Sequence, residues 1–176
     1  TLAATGSATS LGGQKGFVID TSPATIASIS SSASDATYKI GDVIPISITF
    51  SEVVTVTGIP QLTLETGETD AVINYTSGSG STTLLFNYTV SSGQASNDLD
   101  YAGTDALSLN GGTILDASGN ASVLTLASPG AANSLGANKA LIIDGIVPSV
   151  SSVASSTSNG IYKIGETVAI TVTFSE

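Results

Sequence analysis

The stretch "YKIGDVIPISITFSE", Tyr38 to Glu52, alternates strictly, with Ile44, Ile46, Ile48 and Phe50 on one face and Pro45, Ser47, Thr49 and Ser51 on the other. A period of two residues is that of a β-strand with one buried face. Pro45 lacks a backbone donor, which puts it at a sheet edge or near the start of its strand. The phrase is written again as "YKIGETVAITVTFSE", Tyr162 to Glu176, 124 positions further on.

The match extends beyond the strand. At the same offset "TLAATGSATSLGGQKGFVID" (1–20) lies over "TLASPGAANSLGANKALIID" (125–144) without a gap, and 24 of the 52 overlapping positions are identical. A period of 124 is the size of an ordinary domain and far longer than the unit of a helical or β-helical solenoid. The expected organisation is a window on a tandem array. Residues 1–20 form the C-terminal part of a preceding repeat, 21–144 one whole repeat, and 145–176 the N-terminal part of a following one.

Within the whole repeat, "PQLTLETG", "DAVINYTS" and "TLLFNYTVS" alternate as the opening stretch does, and "ALSLN", "GTIL", "SVLTLA" and "ALIID" follow. Between them stand the turn-formers of "TGETD", "SGSGS", "SGQASND", "NGG" and "DASGN". No helical stripe of useful length is present. Seven to nine short strands at this spacing predict an all-β fold, an Ig-like antiparallel β-sandwich. The junctions "DTSPAT" (20–25) and "DGIVPS" (144–149) are short and each carries a stiffening proline, so linked repeats are expected to form a rod.

Composition narrows the functions. The net charge is −10, from 14 acids against four lysines, Lys15, Lys39, Lys139 and Lys163. Phosphate contacts need clustered cations, so nucleic acid is excluded as a partner, and an anionic membrane surface is disfavoured. No apolar run reaches the ~20 residues that span a bilayer. Histidine, cysteine and arginine are absent, which removes the usual acid–base and nucleophilic partners and speaks against an enzyme. Serine and threonine make up about three residues in ten, a composition associated with secreted surface proteins.

The combination "YKIGD…ITFSE", "DLDY…ALSLNGGTILDASGN" and "SLGANKALIIDGIVP" resembles the bacterial Ig-like or cadherin-like tandem repeats of very large secreted adhesins and surface proteins. The resemblance covers the whole repeat. It implies an extracellular β-sandwich stalk module, commonly calcium-dependent, whose partners are neighbouring repeats or identical subunits in a filament. A ligand-binding adhesion module, for carbohydrate or a host surface, is the alternative.

Carboxylates mark where a cation could sit. Counting strands up and down returns Glu52 to the end where Asp20 enters the repeat, and "DASGN" (116–120) turns at that end too. At the opposite end "NDLDY" leads towards Asp144, with Asp98 and Asp100 expected together on the outer side. Each junction would gather Asp98, Asp100 and Asp144 with Glu176 of the following repeat, and calcium takes six to eight such oxygens. Aspartate is also an ordinary turn residue, and Asp116 is read that way. Lys39 and Lys139 read as solvated rather than as isopeptide donors. The sequons at Asn74, Asn87 and Asn120 read as polar ladder and turn residues, and Tyr75, Tyr88 and Tyr101 as core.

Overall fold

The computed structural model describes residues 2–16 and 18–176. The described residues form twelve strands, nearly all antiparallel, and two single-turn helices. Strand β3 (Val43–Thr57) holds the unit together, because three strands pair with it. On one edge it carries first β1 (Ile26–Ser31) and then β9 (Thr113–Asp116). On the other lies β6 (Ser81–Thr89). The sheet continues through β5 (Ala71–Ser77) and β4 (Gln61–Leu64) to β8 (Leu107–Ser108). It curls as it goes, since the β5–β6 ladder is broken by a register shift between Tyr75 and Ser77.

The alternation of the opening stretch sets the core. Ile44, Ile46 and Ile48 are wholly buried, as are Leu62, Leu64, Leu84 and Phe86. Pro45 is the third residue of β3, just past the last rung to β1 at Ser31–Ile46, so its missing N–H interrupts nothing there. Its carbonyl instead accepts the Ser31 hydroxyl at 2.6 Å.

A second sheet of three strands is made by β2 (Ala36–Lys39), β10 (Leu141–Asp144) and β7 (Ala95–Ser96). One cluster of buried residues, from Ala24 to Ile143, draws on both sheets. The expectation of a wholly antiparallel arrangement is corrected here, because β2 and β10 are parallel. After β1 the chain bends at Ser32–Ala33 and resumes as β2 in the second sheet, running alongside the strand that ends at Asp144.

The strand-only reading needs a second correction. Single helical turns occupy Leu11–Gln14 (α1) and Leu135–Asn138 (α2), and each starts at a serine whose hydroxyl accepts an N–H three residues on. These N-caps, Ser10 and Ser134, provide the local signal that the apolar alternation hides. "SVLTLA" likewise makes only an isolated bridge, Thr25–Val123.

Residues 150–174 form a separate hairpin of β11 (Val150–Ala154) and β12 (Thr171–Phe174). Its register and bulge, at Val150/Ser152, reproduce those of β1 on β3 at Ile26/Ser28. Smaller details recur as well. Thr25 N–H donates to Ser51 Oγ at 3.0 Å and Ser149 N–H to Ser175 Oγ at 3.0 Å. Tyr38 and Tyr162 hydroxyls donate to the carbonyls of Ser34 and Ser158. The apolar side of the hairpin, including Val150, Val153, Val172 and Phe174, is exposed in the single chain.

Candidate metal centre

Between its rungs to β1 and its rungs to β9, β3 has a step at residues 50–54, where its register to β6 also shifts. Glu52 stands in that step. The start of β1 and the end of β9 arrive at it from opposite directions, and so bring Asp20 and Asp116. One carboxylate oxygen of each of Asp20, Glu52 and Asp116 can lie within 4.8 Å of the others. Among the described residues no other trio of carboxylates comes so close. Asp20 and Glu52 are half-buried and Asp116 is buried.

The loop "DASGN" holds the group in place. Asp116 Oδ1 accepts the N–H groups of Ser118 (2.9 Å) and Asn120 (2.8 Å), and Oδ2 accepts Asn120 Nδ2 (2.8 Å). Ser118 Oγ donates to Asp20 Oδ2 at 3.0 Å, and Asn120 Nδ2 also reaches the Asp20 carbonyl at 3.3 Å. Burial pushes the Asp116 carboxyl up, but the hydrogen bonds from Asn120, Ser118 and Gly119 outweigh it and hold the pKa below the usual aspartate value. An ionised Asp116 beside two further acids is a concentration of negative charge that a cation relieves. The donors are all oxygen, which suits a hard divalent ion and not a thiolate- or imidazole-seeking metal.

The sequence placed Asp20 and Glu52 here, and they meet. It treated Asp116 as a turn residue, and Asp116 is that and also the third carboxylate. Asp98, Asp100 and Asp144 do not form such a trio among the described residues. Asp100 is buried, not outward, and its Oδ2 accepts Gly130 N–H at 2.9 Å. Asp98 is exposed, and its carboxylate and that of Asp100 both face Gly136 of α2. Asp144 closes its own turn by accepting Ile146 N–H at 3.3 Å, at the end of β10 beside Ala95. Glu176 is exposed beyond β12. The physical reason is the loop 128–138, which folds over "DLDY" and takes Asp100 for its own backbone.

Elsewhere the unit offers little chemistry. Lys139 Nζ pairs with Asp35 Oδ1 at 2.8 Å. Where β5 and β6 diverge there is an open cleft of about 470 Å³ lined by Asp70, Asn74, Asn87 and Gln94, and its one aromatic, Tyr88, is buried. No helix among the described residues is long and apolar enough to cross a membrane.

The fold is thus an all-β unit of curled antiparallel sheet with one acidic trio at the point where the chain joins it. No family model, curated protein or solved structure matches the chain.

Proposed function

We propose that residues 21–144 are one Ig-like β-sandwich repeat of an extracellular structural protein, the stalk of a large adhesin or the body of a surface filament. The observation that carries this is the recurrence at 124 positions: the pairing of β11 with β12 repeats that of β1 with β3 down to the bulge, and α1 repeats α2 down to the serine cap. A unit that repeats its backbone as well as its letters is built for stacking in line. The joint supports the same reading. Asp20 belongs to the preceding repeat, and the hydrogen bonds from Ser118 and Asn120 fasten it to the next one.

In this reading calcium is the ion at Asp20, Glu52 and Asp116, where it neutralises the trio and ties the end of one repeat to β3 and β9 of the next. No reaction is assigned to the unit. The test is isothermal titration with calcium of the chain and of its Glu52→Gln variant. Binding that the substitution abolishes supports the cation-fastened joint. Equal binding by both places the ion elsewhere.

A further inference from the structure

The chain enters the unit at Asp20 and leaves it at Gly145, and the strands next to these two points lie side by side. Strand β1 runs antiparallel to β3. Strand β2 also opposes β3, because the chain reverses between them at a turn closed by Asp42 N–H on the Lys39 carbonyl (3.0 Å). The entering segment, β1 and then β2, therefore keeps one direction from Ile26 to Lys39. Strand β10 is parallel to β2, with rungs from Leu141–Ala36 to Asp144–Lys39, so it departs at the end opposite to the entry.

Parallel strands pulled from opposite ends slide along one another, and all the bonds between them are strained together. The same strands pulled from a shared end open one rung at a time. A single hydrogen bond in water holds little, so resistance to force depends on how many share it. Here the seam is tied beyond its rungs. Asn138 Nδ2 donates to the Ile29 carbonyl at 2.7 Å, and Ile29 N–H donates to the Asn133 carbonyl at 2.9 Å. Asp35 Oδ1 meets Lys139 Nζ at 2.8 Å and accepts Ala140 N–H at 3.3 Å. Ile29, Leu135, Leu141 and Ile143 are buried beneath it. On its other side β10 is held by β7, and Leu99 N–H donates to the Leu141 carbonyl at 2.8 Å. At the exit Gly145 N–H donates to the Gln94 carbonyl at 2.7 Å, and the Gly145 carbonyl accepts Gly93 N–H at 2.8 Å.

We propose that β1 and β2, seamed to the segment 133–144, form a shear clamp by which the unit carries tension between Asp20 and Gly145. This rests on the stalk reading for the source of the tension, while the clamp itself is a property of the single unit.

Single-molecule stretching of the full chain tests the proposal. The sequence has no cysteine, so an introduced pair fixes where the force enters. Ser22→Cys with Ile146→Cys pulls the seam lengthwise, and Ile40→Cys with Ile146→Cys opens it from the Lys39–Asp144 end. All three positions are exposed. At one pulling rate the lengthwise unfolding force is expected to be at least twofold the opening force. Asn138→Ala, at the end of the seam that opens last, is expected to lower the lengthwise force and leave the opening force unchanged. Lys139→Gln, which removes only the ion pair, is expected to act in the same way to a smaller degree. Equal forces in the two directions, or a higher force on opening, overturn the clamp. So does a lengthwise force that neither substitution lowers. Forced unfolding follows the unfolding rate and not calcium affinity, so such a result leaves the calcium titration standing on its own outcome. A failed titration likewise leaves the difference between the two pulling directions in place.

Discussion

Ser118 Oγ donates to Asp20 Oδ2 at 3.0 Å, across 98 positions of sequence. The bond fastens the approach segment to a loop near the other end of the unit. Asn120 acts with it, since its Nδ2 reaches both the Asp20 carbonyl and Asp116 Oδ2. Asn120→Ala should therefore cost about 1–3 kcal/mol, as it leaves a buried carboxylate short of a donor. Urea unfolding of the two chains measures the loss. Ser118→Ala, which frees an exposed contact, should cost less than half as much.

Calcium should raise the melting temperature of the wild-type chain by several degrees. A ligand at a hundred times its Kd adds about 2.7 kcal/mol, and each kcal/mol is worth about 2–4 °C at this chain length. Glu52→Gln should remove the rise and Asp98→Asn should leave it intact. A calorimetric scan of the three with and without chelator separates the observed trio from the grouping that the sequence suggested.

Acid should destabilise the unit in a defined window. Asp116 and Asp35 both have lowered pKa values, Asp116 through the bonds that outweigh its burial and Asp35 through Lys139 and the Ala140 N–H. A depressed folded value adds stability above the ordinary value of 3.8 that is lost as pH falls below it towards the folded value. Unfolding free energy measured from pH 6 to pH 2 should fall below about pH 4, and Asp116→Asn should flatten that decline. At the alkaline side burial raises the Tyr88 and Tyr101 hydroxyls to about 12, with Asp100 adding to the rise at Tyr101. Their stabilisation is complete below pH 10 and lost as pH climbs through the folded values, which absorbance at high pH follows as a late tyrosine phase tied to unfolding.

Ile48 and Val172 occupy the same place at an offset of 124, one wholly buried and the other 45% exposed. Ile48→Ala should cost about 2–5 kcal/mol, the range for emptying a packed core site. Val172→Ala should cost about 0.5 kcal/mol or less in the monomeric chain, since surface substitutions rarely exceed that. Thermal unfolding of both shows whether packing or local strand preference governs the position.

The alternation of β3 was legible because a buried face leaves its period in the letters, and Ile44, Ile46, Ile48 and Phe50 are buried as that period requires. The stretch from Tyr38 to Glu52 is nevertheless not one strand, because Tyr38 and Lys39 end β2 in the second sheet and β3 starts only at Val43. The meeting of Asp20 with Glu52 was legible too, and needed only a count of strand directions. Asp116 closes the turn that the letters "DASGN" announce, while its approach to Asp20 and Glu52 depends on pairings far apart in sequence that those letters do not carry. The inward turn of Asp100 was hidden for a different reason. Its partner, Gly130 N–H, sits in a loop whose path over "DLDY" is set by tertiary packing. The parallel pairing of β2 with β10 joins segments some hundred positions apart, and nothing local encodes it. Gly145 was likewise unremarked. A Cβ there would lie against the carbonyl oxygens of Ser91 and Gln94, the latter at 2.6 Å, so the second junction needs glycine where the first has Thr21.

The central claim is that the unit recurs in line behind a fastened joint, and small-angle scattering measures it most directly. The sample is a polypeptide of three successive copies of residues 21–144 between segments 1–20 and 145–176, in calcium and in chelator. At ~3.3 Å per strand residue the long strand β3 spans about 50 Å, so each added copy should lengthen the particle by about 40–50 Å in calcium. Chelator should let the joints bend and shorten the mean end-to-end distance. A compact particle whose dimensions are the same in both buffers would contradict the account.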